Sequence, residues 1–460
     1  MLHQEWKEFI RRFHDRQADD DEIARWQQDR LSRVLEHVYD QSPFYRKRLA
    51  GIDLSSVTLN SLDTLPFTVK SDLSEAMYDL ICGDINDALY FFCTTGTTGR
   101  SSPCPRSVLD FDLDNASITL SLGAILDEWL PEGEKPVLAM LCPNETHSVC
   151  LTISSAAREL GVFKFDAFPA SPAIGFKRVF ELLQELRPNV VVCSPGLLMA
   201  LAEMAEVYGI NPKEDLDVKA ALNCGELCTP SMSQLVGDTW GARSCNWWYG
   251  SQEAGTPLVA TPDGEFVLIT PNHIFEVIDL ETDKPIRGYG RGEMCLTTLI
   301  PGSKPLIRYR TGDFVDYKES AAGHPTIELL GRIKDMVRLG GTVRNAAEVE
   351  TAVLGSHGLV YGYQIEVSDE GGKDSVLVRV KAKPDSDHDE VKEVISRSMQ
   401  DAFGIECRVE IMPLLDLTTA TGGWVSWKSA RFKDLRAPEA SDDIETKSSA
   451  ALAHAAIERI

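Results

Sequence analysis

The 460-residue sequence has no run of eighteen apolar residues. Its opening, Met1-Leu2-His3-Gln4-Glu5-Trp6-Lys7-Glu8, lacks a basic region followed by an apolar stretch. Neither secretion nor membrane spanning is expected, and the cytoplasm is the expected compartment. Positive charge is scarce: 46 basic residues face 70 acidic ones, a net −24. Such a surface repels nucleic acid and anionic membranes, so neither is expected as a partner. The same field opposes a phosphate-bearing ligand, and any nucleotide site must therefore supply local cations or backbone N–H groups. The eleven cysteines are scattered and odd in number, which fits no complete disulfide framework. Only Cys224 and Cys228 lie close, with no second pair at zinc-site spacing, so reduced thiols acting as small hydrophobes are expected.

What is present is the material of a globular enzyme, with 43% hydrophobic and 25% charged residues and a length that calls for two or three domains. Leu31, Val34, Leu35 and Val38 follow the spacing of one buried helix face ending near Ser42-Pro43. Short apolar runs then alternate with helical patterns: Tyr90–Cys93, Val137–Cys142, Val190–Cys193 and Ala220–Asn223, with helices predicted over Phe176–Leu186 and Leu197–Tyr208. This rhythm predicts α/β layers on a largely parallel sheet. From about Glu265 strands and turns dominate, as in Phe275–Ile278 and Glu293–Leu296, predicting a smaller β subdomain. After Gly331–Asp335 a compact α+β unit is predicted, with strand Ser375–Lys383, helix His388–Phe403 and strand Cys407–Met412. Residues 437–460 read as a peripheral tail.

Thr94-Thr95-Gly96-Thr97-Thr98-Gly99-Arg100 follows the apolar run Tyr90–Cys93, so it is expected to leave the sheet at a strand's carboxyl end, where α/β folds bind ligands. Four hydroxyls can donate to phosphate oxygens, two glycines let the backbone approach closely, and Arg100 adds a cation. A hydroxyl-rich surface turn uses the same residues. The loop does not have the P-loop pattern of a nucleoside-triphosphatase.

Three further segments come in order: Tyr249-Gly250-Ser251-Gln252-Glu253, Tyr309-Arg310-Thr311-Gly312-Asp313 and Gly331-Arg332-Ile333-Lys334-Asp335. Together with the loop they resemble the motifs of the adenylate-forming superfamily. The stretches Ser42-Pro43-Phe44-Tyr45 and Leu65-Pro66-Phe67-Thr68-Val69-Lys70-Ser71-Asp72-Leu73 look like those of its phenylacetate-CoA ligases and their relatives. The resemblance runs from about Asp29 to Arg436.

It implies a large N-terminal adenylate-forming domain over 1–332, built of layered α/β subdomains and a β subdomain. A small mobile α+β C-terminal domain over 333–436 and the tail follow. The implied activity joins a carboxylic acid, through an acyl-adenylate made with ATP and Mg²⁺, to a thiol, with CoA as the expected co-substrate. By the same resemblance Thr94, Thr95, Gly96, Thr97, Thr98 and Gly99 hold phosphate, and Gly225, Glu226, Tyr249 and Gly250 surround adenine. Asp313 takes the ribose hydroxyls, for which two acceptor oxygens are suited. Arg332 contacts ribose and phosphate. Glu253 is the Mg²⁺ ligand, a hard oxygen donor for a hard ion. Lys428 is the adenylation lysine, bridging the acid's carboxylate and the α-phosphate, with Lys433 as its rival in the same basic segment. Lys334 is the hinge, and Arg338-Leu339-Gly340-Gly341-Thr342 is the loop that hinge motion brings to the thiol.

His147, Trp248 and Gly250 are candidates for the acid pocket, and a small aromatic acid would stack well near Trp247-Trp248. The tryptophans are equally suited to a core. Two departures from the family pattern stand out: Gln252 occupies the place of a common Thr, and Thr418-Thr419-Ala420-Thr421-Gly422-Gly423-Trp424 replaces a short Gly-Lys approach to Lys428. Transfer to a carrier-protein pantetheine or to an amine, and a non-catalytic nucleotide-binding homologue, remain as alternatives. A homodimer is allowed.

Overall fold

The structure, a computed structural model, describes residues 2–94, 101–143, 147–169, 171, 174–321, 323–355, 358–369, 374–413, 415, 418–419, 422–423 and 431–436. The chain condenses into two compact units. One holds residues 1–128, 144–162 and 247–328, and the other 129–143, 163–246 and 329–460. Among the described residues no helix is long and apolar enough to cross a membrane.

In the first unit, the helix Asp20–Gln41 buries Leu31, Val34, Leu35 and Val38 as their spacing requires. The Asp19 carboxylate starts it by accepting from the Glu22 N–H. Ser42 ends it in an extended conformation and caps the next helix, Pro43–Arg48, whose proline needs no N–H partner there. The predicted β subdomain is an antiparallel array in which Gly290–Thr298 lies between His273–Ile278 and Tyr309–Glu319. The last part of the strand Arg243–Ser251, from Trp248 on, pairs antiparallel with Gly255–Ala260, Trp248 opposite Val259 and Tyr249 opposite Leu258.

Tyr90–Cys93 does form a strand, but it does not belong to the parallel sheet. It makes a two-stranded antiparallel pair with Pro103–Arg106, Phe92 facing Cys104. Of its four residues only Phe92 is buried. A strand inside a parallel sheet is covered on both faces, whereas this one is half-exposed, its four apolar residues leaving its place to the pairing with Pro103–Arg106.

The second unit carries the parallel sheet, ordered Phe163–Asp166, Val137–Met140, Val190–Cys193, Ala220–Cys224. Every residue of Val190–Cys193 and Ala220–Cys224 is buried, as continuous apolar runs in parallel sheets should be. The helices Gly175–Leu186, Pro195–Val207 and Pro230–Trp240 share the core with these strands. The chain's later part adds a four-stranded sheet ordered Arg408–Ile411, Asp374–Ala382, Val360–Asp369, Phe432–Asp434. The helices Ala346–Leu354 and His388–Phe403 bury Val349, Val353, Val391, Ile395 and Met399 into the same apolar cluster. The fold is therefore α/β with an α+β C-terminal part. Ten of the cysteines outside the loop's strand have the role of core filler or partial filler, and burial pushes the Cys82 and Cys245 thiols up to about 12.

Candidate functional site

Asp313 owes its position to an irregularity in the antiparallel array. Cys295 faces Arg310 and Glu293 faces Phe314, so Thr311, Gly312 and Asp313 stand opposite Met294 alone. Gly312 takes φ +76°, a left-handed turn that favours glycine, and its N–H donates to Glu293 Oε1 at 2.9 Å. Thr311 donates its hydroxyl to the Met294 carbonyl at 2.8 Å and accepts from the Asp313 N–H at 3.1 Å. The bulge thus turns Asp313 inward, where it is 8% exposed. Tyr249 meets it there, donating its hydroxyl to Asp313 Oδ2 at 2.5 Å. Two residues distant in sequence and assigned to one nucleoside are brought together.

Glu253 sits in the tight turn between Arg243–Ser251 and Gly255–Ala260, where the Ala254 N–H donates to Ser251 Oγ at 3.0 Å. Gly255, at φ +73°, allows the turn to lie against Asp114, since a Cβ there would collide with that carboxylate. The Tyr309 hydroxyl donates to Glu253 Oε1 at 2.9 Å. Burial alone would raise the Glu253 carboxyl. Its own backbone N–H, the Tyr309 hydroxyl and the charges of Lys304 and Lys70 outweigh burial and hold it below its ordinary value. A carboxylate kept ionised in this way fits a hard divalent cation.

The local positive charge demanded by the acidic surface is present in the same unit. Arg106 is 9% exposed and donates to the Gln252 carbonyl at 2.9 Å. Lys304 is 3% exposed and donates to the Pro103 carbonyl at 2.7 Å. Neither was among the residues singled out from sequence. The signal available was a lysine bracketed by Ser303 and Pro305, which marks a loop but not a buried cation.

The early segments that resemble the phenylacetate-CoA ligases brace the Tyr309 motif. Thr68 bridges to the strand through its N–H to the Arg308 carbonyl at 3.0 Å and its carbonyl to the Arg310 N–H at 2.9 Å. The Tyr45 hydroxyl accepts from the Ile307 N–H at 2.9 Å and lies 3.1 Å from Thr68 Oγ1.

His147 precedes the helix Ser148–Leu160, and Gln252 ties this helix start to the Glu253 turn. Its amide lies 3.1 Å from His147 Nδ1 and accepts from the Ser148 N–H at 3.3 Å. The departure at Gln252 therefore has a structural use that a shorter Thr could not reach. Trp248 is buried and Gly250 is exposed on the same strand.

In the second unit, Gly225 turns the chain at φ +88° after Ala220–Cys224, and Glu226 accepts from the Gly196 N–H at 2.8 Å, at the start of the helix Pro195–Val207. The other Glu226 oxygen lies 3.4 Å from Arg431. Arg431 also pairs with Glu350, which accepts from Tyr363 Oη at 2.9 Å and Thr229 Oγ1 at 2.7 Å. Sequence reasoning missed this buried ion cluster, because nothing in spacing joins positions 226, 350 and 431. Arg332 ends the strand Pro325–Arg332, and Lys334 is exposed in the turn Ile333–Asp335. Gly340 and Gly341, at φ +56° and +79°, join Val337–Leu339 to Thr342–Arg344 as a hairpin. Lys433 lies 3.7 Å from Glu366 on the adjacent strand. Thr94 accepts from the Ser102 N–H at 2.9 Å, just before the loop. Thr95, Gly96, Thr97, Thr98, Gly99, Arg100, Lys428 and the tail lie outside the described residues.

Residues 346–436 match the AMP-binding enzyme C-terminal domain family. The phenylacetate-coenzyme A ligase of Thermus thermophilus is 28% identical over 445 residues, covering 89% of this chain and 96% of its own. That of Aromatoleum evansii is 25% identical over 441 residues, covering 92% and 96%. Among solved structures, a 2-hydroxyisobutyryl-CoA ligase in the postadenylation state with R3-HIB-AMP shares the fold. Its TM-score is 0.75 at 19% identity, over 95% of this chain and 92% of that one.

Proposed function

We propose, from the premise that this chain belongs to the adenylate-forming superfamily and is related to the phenylacetate-CoA ligases, that it is an ATP-dependent acid–thiol ligase. Its substrate is a small aromatic carboxylic acid and its thiol is CoA. The observation that carries this reading is the pairing within one compact unit of Tyr249 with Asp313 and of Glu253 with Tyr309.

In the first half-reaction a carboxylate oxygen of the acid bonds to the α-phosphorus of ATP while the bond to pyrophosphate breaks. In the second, the CoA sulfur bonds to the acyl carbon and AMP leaves with the electron pair of the anhydride bond. Asp313 receives the ribose hydroxyls, with Tyr249 fixing its carboxylate and setting its own ring against adenine. Glu253 is the residue that would hold Mg²⁺, whose positive charge would offset the negative charge building up on the phosphate oxygens. Arg106 and Lys304 keep this region positive against the acidic surface. Gly225, Glu226 and Arg332 are read from the resemblance as further nucleotide-binding residues, the Thr94–Gly99 loop as the phosphate cradle, and Lys428 as the residue that binds the acid's carboxylate and the α-phosphate together. Lys334 divides a body over 1–332 from a mobile domain over 333–436, and the enzyme works in the cytoplasm.

Exchange of labelled pyrophosphate into ATP, measured across a panel of aromatic acids, tests the reading. Exchange is expected with at least one acid and should fall by about a hundredfold or more in Lys428→Ala, as for loss of a preorganised charge at the transition state. Lys433→Ala should lose far less. Binding of ATP with no exchange for any acid would identify a non-catalytic homologue. Assays with CoA, a pantetheinyl carrier protein and an amine then separate the acceptors.

A further inference from the structure

The strand Arg243–Ser251 sends Tyr249 toward Asp313, while Trp248 and Gly250, two residues apart, share the other face. Trp248 is 7% exposed, and its indole N–H has no acceptor among the described residues. Other buried indoles of this chain behave differently. Trp6 donates to Asn272 Oδ1 at 2.8 Å, Trp240 to the Leu198 carbonyl at 3.2 Å, and Trp247, its immediate neighbour, to Ser121 Oγ at 3.0 Å. A buried donor left unpaired costs stability, and such a group calls for a partner.

The position of the nitrogen shows where that partner would come from. A Cβ built on Gly250 would stand 2.9 Å from Trp248 Nε1 and 2.6 Å from the Gly255 carbonyl. The N–H edge therefore lies beside a residue that has no side chain and is exposed. Any larger residue at 250 would collide with the nitrogen and with the Gly255 carbonyl. Trp248 also precedes Glu253 by five residues, so it sits back along the strand from the turn assigned to metal and phosphate. An acid with its carboxylate at that turn would extend back along the strand toward Trp248.

We infer that Trp248 is a specificity-determining residue. Its indole N–H donates to a hydrogen-bond acceptor carried by the acid away from the carboxylate, so that the preferred substrate is a ring-oxygenated aromatic acid and not an unsubstituted one. This rests on the ligase reading above and narrows its substrate class. Indole N–H is a donor only, so the substituent must accept. A site built to hydrogen-bond a substrate group rejects the analogue without it, because its own polar group then stays unpaired.

The test compares pyrophosphate exchange with 2-, 3- and 4-methoxybenzoate against the matching ethylbenzoates, which have nearly the same shape but no acceptor. At one ring position the wild type should favour methoxy over ethyl by about tenfold or more in kcat/KM. In Trp248→Phe, which keeps an aromatic ring of lesser size, that ratio should collapse toward one. Exchange without preference at every ring position overturns the inference and leaves the ligase reading standing. So does a preference that survives in Trp248→Phe. Absence of exchange with all six acids and the wider panel overturns the ligase reading itself. Should Trp248→Phe fail to fold, the wild-type pairs still decide, since equal use of methoxy and ethyl acids refutes a waiting donor.

Discussion

Single side chains in this protein act through the partners that hold them. Asp313 is placed by a bulge and fixed by the Tyr249 hydroxyl at 2.5 Å. Tyr249→Phe keeps the ring for stacking and removes only that donor. A hydrogen bond to a charged group contributes about 1.5–3 kcal/mol, so the KM for ATP should rise by about tenfold, with a smaller change in kcat. Steady-state kinetics with ATP varied check this, and an unchanged KM would mean that the carboxylate needs no help. Both residues stand in motifs that sequence alone makes conspicuous. Their contact is another matter, since it spans two sheets' worth of chain and depends on a bulge that the single glycine at 312 only hints at.

Helices in the second unit carry two buried acids whose consequences belong to the elements they join. Glu350, on Ala346–Leu354, is fully buried and takes four hydrogen bonds, two from Thr229 and one each from Tyr363 and Arg431. Glu350→Ala leaves the Arg431 guanidinium in the interior with Glu226 as its remaining carboxylate among the described residues. Breaking a buried pair in this way costs about 3–5 kcal/mol, which denaturant unfolding should register. Glu203, on Pro195–Val207, is pushed up to about 7 by burial and by Glu206, against the pull of Lys381 at 3.9 Å. A carboxyl with a raised folded value holds its proton more tightly folded than unfolded. The stability this supplies is complete below the unfolded value and is lost as pH rises through about 7. Glu203→Gln escapes that loss. Its unfolding free energy relative to wild type should therefore improve by on the order of 2 kcal/mol between pH 4 and pH 8. A difference that is flat across this range would show that Glu203 is ionised as easily folded as unfolded.

At the scale of the whole molecule, the proposed chemistry needs a moving part. Lys334 is exposed in a short turn that follows the strand Pro325–Arg332, so proline there would stiffen the backbone without removing a packed side chain. Lys334→Pro should depress thioester formation more than pyrophosphate exchange. Equal losses in the two half-reactions would argue against a hinge at this position. The order of helices and strands, the β subdomain and the α+β C-terminal part were legible because periodicity and turn residues are local properties of the chain. The helix His388–Phe403 has the bounds its sequence predicts. Tyr90–Cys93 misled because four apolar residues look alike whether one face or two will be covered, and only the pairing with Pro103–Arg106 decides it. The motifs that carry the resemblance were likewise legible, since each is a short local run of residues. Which cations offset the acidic surface, what Gln252 holds, and which buried indole has no acceptor among the described residues were decided only by folding. Each depends on a distance between residues far apart in sequence, and no local pattern encodes such distances.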